Sequence, residues 1–236
     1  MPHHLLVLAP YAALAGFAPA LPLALTDRPD LTVTWRPIPV AMSADGGFVD
    51  AATEDVAVMA AAQNEAGSAY DAVVVDSTGD GGVAALRSVL DLLVMGSGKT
   101  AALHALTLGA RFSFLVHSRA ACMRLRSELR QWQLESHCAS VRLVSLDNDA
   151  VRDAAQRCVA EDGAEVICLG NRAFSSFAPS LAELGVPVID PLPLTCEVAV
   201  ALLAAGLTHS RGAAPAPRVA KLTVLDAMAN VLVAPA

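Results

Sequence analysis

The chain has 236 residues, with 23 acids against 16 bases and a formal net charge of −7. That sign argues against nucleic acid or an anionic membrane as partner, because phosphate contacts depend on clustered Lys and Arg. With 55% apolar and 17% charged residues, the composition excludes disorder over most of the length and allows a large core.

Short apolar runs alternate with helical patterns along the chain. Leu5–Leu8 predicts a buried strand, followed by a loop at Ala9-Pro10 and then a helix. Further strands are expected at Leu31–Trp35, Ala72–Val75, Leu92–Met95, Phe112–Val116, Val141–Ser145, Val166–Leu169 and Val186–Ile189. Helical patterns fall at Asp50–Glu65, Gly82–Leu90, Lys99–Leu108, Ala120–Gln133, Asp149–Glu161, Ser175–Leu184 and Cys196–Ala205. The segment His209–Pro217 is rich in Pro, Ala and Gly and is expected to wrap the surface, with Leu222–Leu232 as a last helix. The strand runs are nearly continuous in Val, Leu and Ile, as buried parallel strands are. Strand and helix in alternation imply an α/β fold with right-handed crossovers.

The first 26 residues carry no Asp, Glu, Lys or Arg. No basic n-region precedes the apolar run, and Pro10, Pro19 and Pro22 interrupt it, so a strand is expected there rather than a signal peptide or a membrane span. Five cysteines, an odd number without a C-x-x-C pair, fit a reducing compartment, and a cytoplasmic location is expected. No His stands at zinc-ligand spacing from a Cys pair.

In α/β folds ligands sit at the carboxyl ends of strands. The informative positions are therefore Ala9-Pro10-Tyr11, Asp76-Ser77-Thr78-Gly79-Asp80, Gly96-Ser97-Gly98-Lys99, His117-Ser118-Arg119, Gly170-Asn171-Arg172 and Asp190-Pro191. Gly96-Ser97-Gly98-Lys99-Thr100 imitates the end of a phosphate loop, but the full motif needs Gly where Leu93 stands. A tight turn into a helix N-terminus is the simpler reading, and such a terminus can hold one carboxylate or phosphate.

Several segments together resemble the aspartate/glutamate/hydantoin racemase superfamily. Tyr70 to Gly82 with Ala85-Leu86-Arg87 is similar to its first catalytic strand and turn, and Gly163 to Asn171 to its second. Leu93 to Gly98, Ala101 to His104, Leu108 to Ser113 and Leu184 to Asp190 follow in the order of the hydantoin-racemase branch. The resemblance implies two similar parallel-sheet α/β halves with the active site in the cleft between them. Residues 1–97 with 208–236 would form one half and 98–207 the other. It also implies cofactor-free proton abstraction beside a carbonyl, by one cysteine at each strand tip.

Here the resemblance places Ser77 and Asn171 at those two cysteine positions. A serine hydroxyl is a poor base unless another group takes its proton, and an amide does not titrate. Cys168, three residues before Asn171, is expected to be buried and inert. The remaining acid/base candidates are Asp76, which either serves as base or caps the following turn, and His117, whose imidazole titrates near neutrality. Asp80 either meets the substrate or caps a helix. Ser118 either binds a carboxylate or caps the helix that starts at Arg119. Asn171 is a candidate oxyanion donor. Pro10, Tyr11, Thr78, Gly98, Arg172 and Asp190 complete the candidate binding residues, with Lys99 and Arg119 as cations near the rim.

Three functions are compatible with these residues. One is one-sided proton transfer on a small carboxylate or cyclic amide through an enolate-like intermediate, as in an isomerase or lyase. Another is racemisation with Asp76 and His117 in place of thiols, and the third is binding without turnover. No cofactor and no metal are implied; the expected partners are a small molecule and further copies of the chain.

Overall fold

The computed structural model describes residues 2–11, 21–26, 28–39, 47–65, 69–170 and 172–216. They form two four-stranded parallel sheets with the same strand order. The first sheet is built from β1 (His3–Tyr11), β2 (Leu31–Pro39), β3 (Ala72–Val75) and β4 (Leu93–Gly96), in the order β2-β1-β3-β4. The second uses β5 (Phe112–Val116), β6 (Cys138–Leu143), β7 (Val166–Leu169) and β8 (Val188–Ile189), in the order β6-β5-β7-β8. The α/β class and the pair of similar sheets thus match the sequence expectation.

Among the described residues six α-helices connect and cover the strands: α1 (Phe48–Glu65), α2 (Val83–Val89), α3 (Ser97–Leu108), α4 (Arg119–Gln131), α5 (Asn148–Ala160) and α6 (Pro191–Ala204). On one face of the first sheet, Leu6, Leu8, Val73 and Val75 pack under Ala57, Val58 and Ala62 of α1 and Leu86 of α2. On its other face, Leu5, Val7 and Val74 meet Leu192, Cys196 and Ala199 of α6. In the second sheet Phe112, Phe114 and Cys168 face Ala101, Ala102 and Ala105 of α3 and Leu125 and Leu129 of α4. Its opposite face, with Leu115, Ile167 and Leu169, lies on α5. Each such Leu or Val, fully buried, contributes about 1.5–3 kcal/mol relative to exposure.

Two helices therefore cross over. α3 follows the last strand of the first sheet yet covers the second, and α6 follows the last strand of the second yet covers the first. They also pack against each other, so neither sheet has both faces covered without the other half of the chain. Residues 209–211 return to the first half: His209 Nε2 lies 2.9 Å from the Arg87 carbonyl, and Arg211 donates to the Arg87 and Leu90 carbonyls at the end of α2.

Some expected boundaries change. The loop expected at Ala9-Pro10 is strand: β1 continues to Tyr11, pairing Pro10 with Ile38 of β2. Pro10 lacks an N–H, but β1 pairs with β3 only up to Leu8–Val75, so one side of the strand is already released. The helix expected at Ser175–Leu184 is a 3-10 run, Arg172–Leu184, with Pro179 inside it; proline cannot supply an α-helical N–H. α6 starts five residues earlier than its pattern suggested, because Pro191 sits in its first turn. β6 runs from Cys138 to Leu143 rather than 141 to 145. The helix expected after β1 and the last helix, 222–232, lie outside the described residues. Among the described residues no helix is long and apolar enough to cross a membrane.

Candidate active site

The carboxyl end of β3 is the best-defined part of the candidate site. Its ladder ends as Asp76 N–H donates to the Leu8 carbonyl at 2.8 Å, and the Ser97 hydroxyl donates to the Val75 carbonyl at 3.1 Å. Asp76, Ser77 and Thr78 are all buried. The chain then turns through Asp80, which adopts a left-handed φ of 49°, a conformation that Asp tolerates better than most side chains.

Asp80 turns its carboxylate onto the N-terminus of α3. It accepts the N–H of Gly98 at 2.7 Å and of Lys99 at 3.2 Å. The anion place at that helix end is thus filled by the chain's own carboxylate, and the Gly98 amide is taken. Burial pushes the Asp80 carboxyl up to about 7, with the two amide bonds pulling the other way. Close approach explains Gly98 itself: a Cβ there would collide with the Thr78 carbonyl. The phosphate-loop imitation is therefore a seat for the turn after β3.

A residue absent from the sequence candidates enters here. The Ser77 hydroxyl donates to Glu54 Oε1 on α1 at 2.5 Å. Burial raises the Glu54 pKa, opposed by the Ser77 bond and by the positive charge of Arg124. The sequence did hold a signal: Glu54 stands at the i, i+4, i+8 stripe with Val58 and Ala62, which are core residues. An acid on the apolar face of a helix is an exception that needs a partner.

Arg124, on α4, closes the arrangement from the second half. Its guanidinium donates to the Gly79 carbonyl at 3.1 Å, the Ala51 carbonyl at 2.8 Å and Asp55 Oδ1 at 2.6 Å. Asp55 also accepts the Gly82 N–H at 2.8 Å. One side chain thus joins α1, the turn after β3, and α4.

At the matching end of the second sheet, His117 follows β5 and is half-buried, edge-on to Phe174 with ring centroids 6.3 Å apart. Burial lowers its pKa, which favours the neutral imidazole. Ser118 caps α4, accepting the Ala121 N–H at 3.1 Å, and Arg119 is exposed at the helix start. Gly170 N–H donates to the Leu115 carbonyl at 2.8 Å and ends β7. Asn171 lies outside the described residues, as do the side chains of Tyr11 and Arg172. Asp190 occupies the N-cap position of α6, and Lys99 lies half-buried in the first turn of α3.

The structure therefore gathers Asp76, Ser77, Thr78, Asp80 and Gly98 at one end of the first sheet, with Glu54 and Arg124 added. It sets His117 and Ser118 at the end of β5 in the second. Cys168 is fully buried, its sulfur 4.0 Å from the Ala101 carbonyl, and burial raises its thiol pKa. Cys196 on α6 is pushed up to about 12 by burial and then by the charge of Asp76. Among the described residues no three His, Cys, Asp or Glu side chains converge as metal ligands.

A family model described as Asp/Glu/Hydantoin racemase matches residues 23–199. The hydantoin racemase of Paenarthrobacter aurescens is 35% identical over 153 residues, which span 60% of this chain and 65% of that protein, just under two thirds of its length. The hydantoin racemase of Rhizobium meliloti is 31% identical over 188 residues, 75% of this chain and 78% of that one. Among solved structures, the allantoin racemase from Klebsiella pneumoniae has a TM-score of 0.74 at 23% identity, covering 95% of this chain and 99% of its own. Unliganded arylmalonate decarboxylase has a TM-score of 0.57 at 21% identity, covering 90% and 98%. These structural likenesses show a common fold.

Proposed function

The chain belongs to the Asp/Glu/hydantoin racemase family, and from that premise we propose that it moves a proton on one face of a carbon beside a carbonyl. The substrate class is a hydantoin-like cyclic amide or a related small carboxylate, and the protein's own side chains supply the acid and base. The observation that carries this reading is the Ser77 hydroxyl at the tip of β3, bonded to the carboxyl of Glu54.

The chemistry follows from what can titrate. Ser77 stands where the family resemblance places the first thiol, and Asn171 where it places the second. An asparagine moves no proton but donates well to an enolate oxygen, a contact whose loss can cost about 10²–10³ in rate. Proton movement is then confined to the Ser77 side, and the product keeps one configuration. A second reading, two-sided racemisation, rests on His117: its burial beside Phe174 favours the neutral, basic form.

Incubation of each enantiomer of 5-benzylhydantoin in D₂O separates the two. Mass spectrometry would read deuterium at the ring carbon, and chiral chromatography the configuration. One-sided transfer gives deuterium with retained configuration; Ser77→Ala should lower that exchange by about 10²–10⁴-fold. Scrambled configuration would favour the two-sided reading. Thermal stabilisation by the hydantoin with no exchange at all would leave a binding protein.

A further inference from the structure

We infer that Glu54 takes the proton of Ser77 during the reaction, so that hydroxyl and carboxyl act as one acid–base pair. This rests on the proposed function and adds the group that makes an alcohol usable as a base. Glu54 works through Ser77 and does not itself touch the substrate.

Three observations carry the inference. First, the pair is in direct contact: Ser77 Oγ–H donates to Glu54 Oε1 at 2.5 Å, so a proton can pass along an existing hydrogen bond. Second, the contact has a built place. Gly81 faces the carboxyl: a Cβ there would meet Glu54 Oε1 and make that side chain shift from its place beside Ser77. Third, Glu54 occupies the core stripe of α1 above Val58 and Ala62. A carboxyl on that stripe is costly to desolvate, and an apolar side chain would serve packing better.

The charged groups around the pair leave Glu54 free to change its state. Arg124 from α4 faces it but is committed to Asp55, the Gly79 carbonyl and the Ala51 carbonyl. Asp55 on α1 opposes a second negative charge, and the charge of Glu128 of α4 is felt at Arg124, Asp55 and Lys99. No hydrogen bond described for Arg124 goes to Glu54.

The step balances within the protein and substrate. The substrate C–H bond breaks, its proton forms a bond to Ser77 Oγ, and the electron pair passes into the adjoining carbonyl as an enolate. The original Ser77 O–H bond breaks as its proton bonds to the Glu54 carboxylate. Reversal from the same side returns a proton, or a deuteron from solvent, to the carbon. Nothing is oxidised or reduced.

The test is deuterium exchange into 5-benzylhydantoin by wild type, Glu54→Gln, Glu54→Asp and Ser77→Ala across pH 4–9. Exchange by the wild type should rise through an acidic limb and level off. The ¹³C signal of the Glu54 carboxyl should titrate with the same midpoint as that limb. Glu54→Gln should lose at least about 100-fold in rate together with the limb, and Glu54→Asp should recover part of both. If Ser77→Ala abolishes exchange while Glu54→Gln keeps rate and limb, the inference about Glu54 is overturned and the Ser77 reading stands. If Ser77→Ala exchanges like the wild type, or the wild type exchanges nothing, that reading falls and this one with it. A Glu54 carboxyl midpoint away from the kinetic limb overturns the inference without any variant having to fold.

Discussion

The Asp80 carboxylate lies 2.7 Å from the amide nitrogen of Gly98. This bond locks the turn after β3 to the first turn of α3, and so fixes where Ser77 projects. It also occupies the helix end that would otherwise attract an external anion.

The lock carries a pH signature. Burial holds the Asp80 carboxyl at about 7, while an unfolded Asp titrates near about 3.9. The folded form therefore binds more protons across that window. Its contribution is fully present below about pH 4 and is lost as pH rises through about 7. In Asp80→Asn, whose amide oxygen still accepts the Gly98 N–H, this part of the dependence should vanish. Urea midpoints of wild type and variant at pH 5 and pH 8 check it; an equal pH dependence in both would refute the assignment.

Arg124 should matter for stability as well as for activity. Its side chain is only 13% exposed and serves two carbonyls and one carboxylate. Arg124→Ala should cost about 1–2 kcal/mol, since it takes a charged donor from the buried Gly79 carbonyl, the partly buried Ala51 carbonyl and the half-exposed Asp55 carboxylate. Arg124→Lys should recover little, because a single ammonium cannot reach all three in a fork. The urea midpoint should fall in both with an unchanged slope; a loss under about 0.5 kcal/mol, the usual range for a surface site, would contradict the reading.

His117 should titrate below its ordinary value near 6.5, because burial disfavours the imidazolium. Unfolded, it binds more protons than folded around that pH, so this group makes stability rise with pH up to about 6.5. Phe174→Leu opens space beside the ring at a cost of about 1 kcal/mol and should move the midpoint upward. An NMR titration of the ring carbon signals reads this directly; a midpoint unchanged by the variant would assign the shift to other neighbours.

Restoring thiols tests the proposed descent of the site. In the double variant Ser77→Cys, Asn171→Cys, a proton-moving group would again stand at each strand tip. Racemisation of 5-benzylhydantoin should appear where the wild type retains configuration. Its absence in a folded double variant would mean that the two positions do not face one carbon.

Much of the fold is legible in the sequence. The short, continuous runs of Val, Leu and Ile at 72–75, 112–116 and 166–169 coincide with β3, β5 and β7. Such runs are local and admit few conformations in a parallel sheet. The same rule singles out the residues that follow them, and Asp76, Ser77, Thr78 and His117 all follow strand ends. Prolines are where pattern and structure part: a strand end is expected at Pro10, yet β1 continues through it, and the helix expected over Ser175–Leu184 contains Pro179 and is a 3-10 run. Each outcome turned on whether a neighbour needed the missing N–H.

What depended on the sequence alone was the order of elements, the class of fold and the identity of the strand tips, because apolar period and run length are properties of neighbouring residues. The tertiary structure decided which helix covers which sheet, and that Ser77 meets Glu54, 23 residues upstream, while Arg124 meets Gly79, 45 residues before it. The first contact forms only when α1 packs on the first sheet, and the second only when α4 of the second half meets α1 and the turn after β3. A pairing made by packing leaves no periodic trace along the chain.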